Sequence, residues 1–124
     1  MPSLPNQINS TAAAGSQWVQ TYAIQNDDGS VTDITNKTFE FVIRPHTTDT
    51  AQPAMVAVNS TAANAQGYIT VTTATATLQV VLSPTTTGLL QRSANPYTLW
   101  MDPGLPDATA LVVGTFFTSQ IAAA

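Results

Sequence analysis

Residues Ile34 to Pro45 read ITNKTFEFVIRP, and the phase of this stretch decides the fold. Phe39, Phe41 and Ile43 recur at every second position, while Thr38, Glu40 and Arg44 fall between them. A period of two puts the first set on one face of a β-strand and the second on the other. The stretch therefore predicts a strand with one buried face and one wetter face. Pro45 lacks the backbone N–H that a ladder needs and closes it.

The same period runs outward in both directions. WVQTYAI (Trp18 to Ile24) places Trp18, Gln20, Tyr22 and Ile24 on one side, and NDDG (Asn26 to Gly29) reads as a turn. AMVAVN (54–59), GYITVTT (67–73), ATLQVVL (76–82), PYTLWM (96–101) and TALVVGTFFTSQI (109–121) repeat the pattern. Between two of them, SPTTTGLLQR offers Ser83 as N-cap and Pro84 at the first helical position, which predicts one short helical turn. Gly114 inside the last strand signals a bulge or a close backbone approach. About seven strands at sandwich-like spacing predict an all-β fold, an antiparallel β-sandwich of immunoglobulin-like type, with a small barrel as the alternative. Residues 1–16, with Pro2, Pro5 and little apolar content, read as an extended N-terminal arm, and 17–124 as a single β-sandwich domain.

Composition narrows the function. The 124 residues hold no Cys, so thiolate metal sites and disulfides are excluded. Charged residues make up 8% of the chain, against roughly 25% in ordinary domains. Lys37, Arg44 and Arg92 are the only fixed cations and the net charge is −4, so neither nucleic acid nor an anionic membrane is an expected partner. Nothing at the N-terminus resembles an export signal. A surface of Thr, Ser, Asn, Gln and Ala suits a protein packed among neighbours more than a free monomer.

Chemistry-bearing constellations are sparse. His46 is the one His, no Gly-x-Ser-x-Gly elbow supplies a nucleophile, and Glu40 is the one Glu. NDDGSVTD fails as an EF-hand, because Ile24 and Thr35 would fall where the loop needs acidic ligands. A surface calcium ion on Asp27, Asp28 and Asp33 is the remaining metal reading, with a plain hairpin turn the better account. The expectation is a non-enzymatic protein with no cofactor.

Two strands are apolar on both faces. Trp100 opposes Tyr97, Leu99 and Met101, and Val112 and Phe116 oppose Leu111, Val113 and Phe117. A two-layer sandwich has one inside, so the excess predicts either a protein interface or burial beneath the arm. Leu4, Ile8, Trp100, Phe116 and Ile121 are the candidate interface residues. Lys37 and Arg44, at the ends of the first strand's apolar stripe, read as guards against promiscuous pairing.

DITNKTFEFVIRP, the Gly-initiated GYITVTT, LQVVLSPTTTGLL and NPYTLWMDPG together resemble a domain of tailed-bacteriophage structural proteins, typified by the N-terminal domain of baseplate upper proteins. That pattern runs DLTG, an aromatic-rich strand, a Leu-Ser-x-x-x-Thr turn ending in Leu, then a Tyr-x-Leu strand. Asn36 stands where the family has Gly, and Asn tolerates left-handed backbone better than other residues. The resemblance covers residues 17–118 and implies an immunoglobulin-like virion protein, assembled in the host cytoplasm. Because no receptor-binding region follows, it favours a capsid decoration protein bound to the major capsid protein and to copies of itself. A tail or baseplate adaptor is the alternative. In this reading the arm docks, so its removal would cost incorporation but not folding. A carbohydrate-binding module, stacking sugars on Trp18, Tyr97 and Trp100, is the reading of another class.

Overall fold

The computed structural model describes residues 6–24, 30, 32–44, 56–90 and 94–119. In chain order they form β1 (Asn6–Gln7), β2 (Ser10–Ala13), β3 (Trp18–Ala23), β4 (Phe39–Ile43), β5 (Val56–Asn59), β6 (Gly67–Thr72), β7 (Thr77–Leu82), the helix α1 (Pro84–Leu89), β8 (Ala94–Met101) and β9 (Thr109–Ser119). The larger sheet has the order β9-β8-β4-β5, with β1 and β2 lying one after the other along the free side of β9. The smaller sheet is β3-β7-β6. The chain is thus mostly β, in two sheets.

Pairings within the smaller sheet and among β4, β5, β8 and β9 are antiparallel. Those of β1 and β2 with β9 are parallel. The larger sheet is therefore mixed, which corrects the expectation of a wholly antiparallel sandwich. Parallel neighbours cannot be joined by a hairpin and need a long crossover. Here the remainder of the described domain lies between them in the chain.

One core fills the space between the sheets. Phe39, Phe41 and Ile43 are fully buried, as their alternation requires, and Tyr97, Leu99 and Met101 extend the same layer from β8. Trp18, Tyr22, Leu78 and Val80 meet them from the smaller sheet. The Trp18 ring lies 4.9 Å from Phe116 at 72° and 5.6 Å from Phe41, the offset and edge-on arrangements that ring quadrupoles favour. Side chains of this size each stabilise the fold by roughly 1.5–3 kcal/mol when fully buried.

The last strand shifts phase partway along. Leu99 pairs with Val112 but Trp100 pairs with Ala110, which leaves Leu111 as an extra residue in a β-bulge. Leu111 and Val112 are consequently both buried. Part of the two-sided apolarity of this strand is thus a bulge within the core. Gly114 is not its site. A Cβ on Gly114 would lie 2.0 Å from the carbonyl oxygen of Ile8, so glycine is needed there for the arm to approach.

That approach makes the described arm part of the domain. Ile8 N donates to Val113 O at 2.9 Å and Ala14 N to Ser119 O at 2.8 Å, while Ser10 and Ala12 point into the core. At the arm's far end, α1 holds the turn into β3. Ser83 caps the helix by accepting from Thr86 N at 3.2 Å, and the buried Thr87 Oγ1 donates to Ser16 O at 2.7 Å and accepts from Gly15 N at 3.1 Å. The described arm thus lies along the free side of β9 and extends its backbone ladder.

Edge protection also differs from expectation. β4 is an interior strand between β5 and β8, so Lys37 and Arg44 guard no free edge. The outer side of β5 is covered by side chains that imitate a neighbouring strand: Ala57 N donates to Gln66 Oε1 at 2.9 Å, and Asn64 Nδ2 donates to Ala57 O at 3.0 Å. Such covering blocks strand addition at that position.

Candidate functional site

The outer face of the larger sheet carries the features that remain once the core is accounted for. Side chains at alternate positions of β5, β4, β8 and β9 line up across it in rows set by the strand register. The central row is Ala57, Val42, Thr98 and Val113. On one side of it Glu40 stands beside Trp100. On the other, Arg44 N donates to Pro96 O at 3.1 Å, and Pro96 pairs with Thr115. Small side chains thus form the middle, with an acid and an aromatic on one flank and a base and a proline on the other.

Two shallow grooves run along this face. One, about 430 Å³, lies over Thr98 and Val113 beside Arg44 and Pro96. The other, about 190 Å³, lies between Trp100, Glu40 and the loop at Pro103 and Ala108. Val42 and Arg44 border both, so the grooves are continuous around one point. Val42 is only 8% exposed although it faces outward, because its longer neighbours shelter it. Phe117, beyond Ala94 at the end of the face, is 41% exposed.

This arrangement suits binding through shape and apolar contact. Among the described residues that line the two grooves, Glu40 is the one acid and Arg44 the one base. Among the described residues, no three His, Asp or Glu side chains converge to hold a metal ion.

The remaining polar clusters secure the fold. Asp102 sits at φ +52° and accepts from Thr38 N at 3.0 Å, while Asp102 N donates to Thr38 O at 2.7 Å. Lys37 Nζ lies 3.3 Å from the Asp102 carboxylate and 3.8 Å from Asp107. The Thr38 backbone donor, with help from Lys37, holds the Asp102 carboxyl below its ordinary range. In the core, burial raises the pKa of the Tyr22 hydroxyl far above that of a free phenol, with Ser10 and Tyr97 as its polar neighbours.

The sequence-based candidates separate clearly. Trp100 is half-buried on the outer face, and Ile8 is 39% exposed on the arm beside β9. Phe116 is fully buried among the core rings and presents nothing to a partner; its neighbour Phe117 faces out instead. Leu4 and Ile121 lie outside the described residues, as do His46, Asp27 and Asp28. Asp33 accepts from Thr35 N at 3.0 Å, which lowers its pKa and gives the carboxylate a turn-forming role. Of the aromatics invoked for sugar stacking, Trp18 and Tyr97 are core residues and only Trp100 is accessible. Val42 and Pro96 are not singled out by the sequence, although the parity of Val42 with Glu40 and Arg44 places it on the outer face, and Val113 and Phe117 are legible there only as one face of a two-sided strand. No protein-family model and no curated protein matches the chain.

Proposed function

We propose that the chain is a non-enzymatic structural subunit of a tailed-bacteriophage virion, a capsid decoration protein of immunoglobulin-like fold whose binding surface is the outer face of the larger sheet. The observation that carries this reading is that face: low in charge, grooved, and bearing Trp100, Val42, Pro96 and Val113 where a free monomer would display charged side chains.

Two further observations support it. The order β9-β8-β4-β5 against β3-β7-β6 matches the G-F-C-C′ and B-E-D sheets of variable-type immunoglobulin domains, with the first strand placed on the last. The motifs of the phage resemblance also fall at turning points of the chain. Asn36, at the position of the family's glycine, has φ +62°, and Leu-Ser-x-x-x-Thr spans the N-cap of α1 and its buried Thr87. Binding by such a face needs no cofactor, since buried apolar area supplies about 25 cal/mol per Å² and symmetric copies add avidity.

Quantitative mass spectrometry on separated heads and tails of purified virions tests the proposal. Hundreds of copies with the head support decoration. A handful with the tail moves the protein to an adaptor of tail or baseplate, and absence from both rejects a virion role.

A further inference from the structure

The two flanks of the central row are complementary to each other, and that property selects a partner. Consider a two-fold axis lying in the plane of contact and running across the strands along Ala57, Val42, Thr98 and Val113. It sets β4 of one copy antiparallel against β4 of another. The central row then meets itself, small side chain on small side chain. Glu40 comes to the level of the second copy's Arg44, and Trp100 to the level of its Pro96. Each match occurs twice, as an isologous interface requires. An axis along β4 would instead bring Glu40 onto Glu40 and Arg44 onto Arg44, and one between β4 and β8 would leave both charges facing Trp100 and Pro96 without a charged partner.

We infer that a second copy of this chain covers the outer face of the larger sheet, in a two-fold dimer centred on Val42 with Glu40 paired to Arg44 across the interface. Two sheets stacked face to face lie about 10 Å apart, a spacing the low central row permits and two opposed rows of long side chains would not. The flanking grooves accept the proud residues of the other copy, Trp100 entering beside Pro96 and Arg44. Aromatic and Arg side chains of this kind dominate interface energetics, and opposed charges fix the register. The inference deepens the proposed function by naming one partner of that surface, and rests on the same reading of it as a binding face.

The test uses the full chain and exploits the symmetry. Wild-type protein should sediment as a dimer. Glu40→Arg places two Arg pairs across the axis and Arg44→Glu places two Glu pairs, so each variant alone should dissociate by about a hundredfold more readily. Mixed in equal amounts, the two variants regain both opposite-charge pairs and should form a heterodimer of near wild-type affinity. Circular dichroism on each variant separates loss of association from loss of fold, and the mixing arm requires both to be folded. A monomeric wild type, a trimer, single variants that still dimerise, or a mixture that stays monomeric would each overturn the inference. Virion occupancy is measured independently, so failure of the dimer and failure of the virion role are distinguishable.

Discussion

Tyr97 and Ile8, far apart in sequence, are joined by a hydrogen bond in which the phenolic hydroxyl on β8 donates to the carbonyl oxygen of the arm. Ser10 Oγ, also on the arm, lies 3.4 Å from the same hydroxyl, in hydrogen-bond contact. A core side chain thereby reaches through β9's flank to hold the strand outside it. Tyr97→Phe keeps the ring against Phe41 and removes this link together with the contact to Ser10. Losing one partner of a covered pair costs about 1–2 kcal/mol, read as a lower urea midpoint with unchanged slope. The loss should concentrate on the arm: amide exchange at Ile8 and Ala14, both bonded to β9, should accelerate more than at the centre of β7.

Arm docking has a second requirement at Gly114. Gly114→Ala would thrust a methyl group to 2.0 Å from Ile8 O, and the backbone cannot yield as a flexible side chain would. A Cβ on Gly104 meets nothing within 4 Å, so Gly104→Ala carries only the strain of φ +79°, about 1 kcal/mol. Gly114→Ala is expected to cost about 2–4 kcal/mol and to raise proteolysis within residues 6–13. Equal melting temperatures for the two variants would show that the arm does not depend on that approach.

The strands were legible because their residues alternate; the arm's role was not. Ser10 to Ala13 carries no apolar period, and β2 forms because β9 offers it backbone partners, a long-range fact absent from a local window. The faces of β9 were obscured for a different reason. Leu111 inserts into the ladder and reverses the parity beyond it, so Phe116 and Phe117 could not be assigned without knowing where the bulge fell. The outer face was half-legible: Trp100 stands among the candidate interface residues, whereas Val42 is assigned to neither face. That Glu40 stands beside Trp100 and Val42 beside Thr98 emerges only when β8 is set in register against β4.

Asp102 gives the stability a pH dependence of defined sign. Its folded pKa is lowered below the ordinary 3.8, so the folded state binds fewer protons than the unfolded state as the carboxyl titrates. The contribution is complete above the unfolded pKa and disappears as pH falls through the lowered folded value. Melting temperature should therefore drop in acid, and the gap between wild type and Asp102→Asn should narrow over the same interval. At neutral pH that variant loses the ion pair with Lys37 and weakens the bond to Thr38, for about 1 kcal/mol. Asp102→Ala should cost about 1 kcal/mol more, because alanine tolerates φ +52° less well than Asn.

The two tryptophans report on different surfaces, which allows the core and the outer face to be followed separately. Trp18 is 7% exposed between Phe41 and Phe116, so its emission should be blue-shifted and resistant to acrylamide. Trp100 is half-buried beside Glu40 and should account for the quenchable fraction. Trp100→Phe, which leaves the core untouched, should abolish most quenching and keep the blue-shifted band. In wild-type protein, quenching of Trp100 should fall as concentration rises and the second copy covers it, whereas in Glu40→Arg it should not change. A concentration-independent signal in both would mean that Trp100 remains open to solvent, which leaves it free to stack on a sugar. A glycan titration that alters Trp100 emission at fixed protein concentration would then favour the carbohydrate reading over self-association.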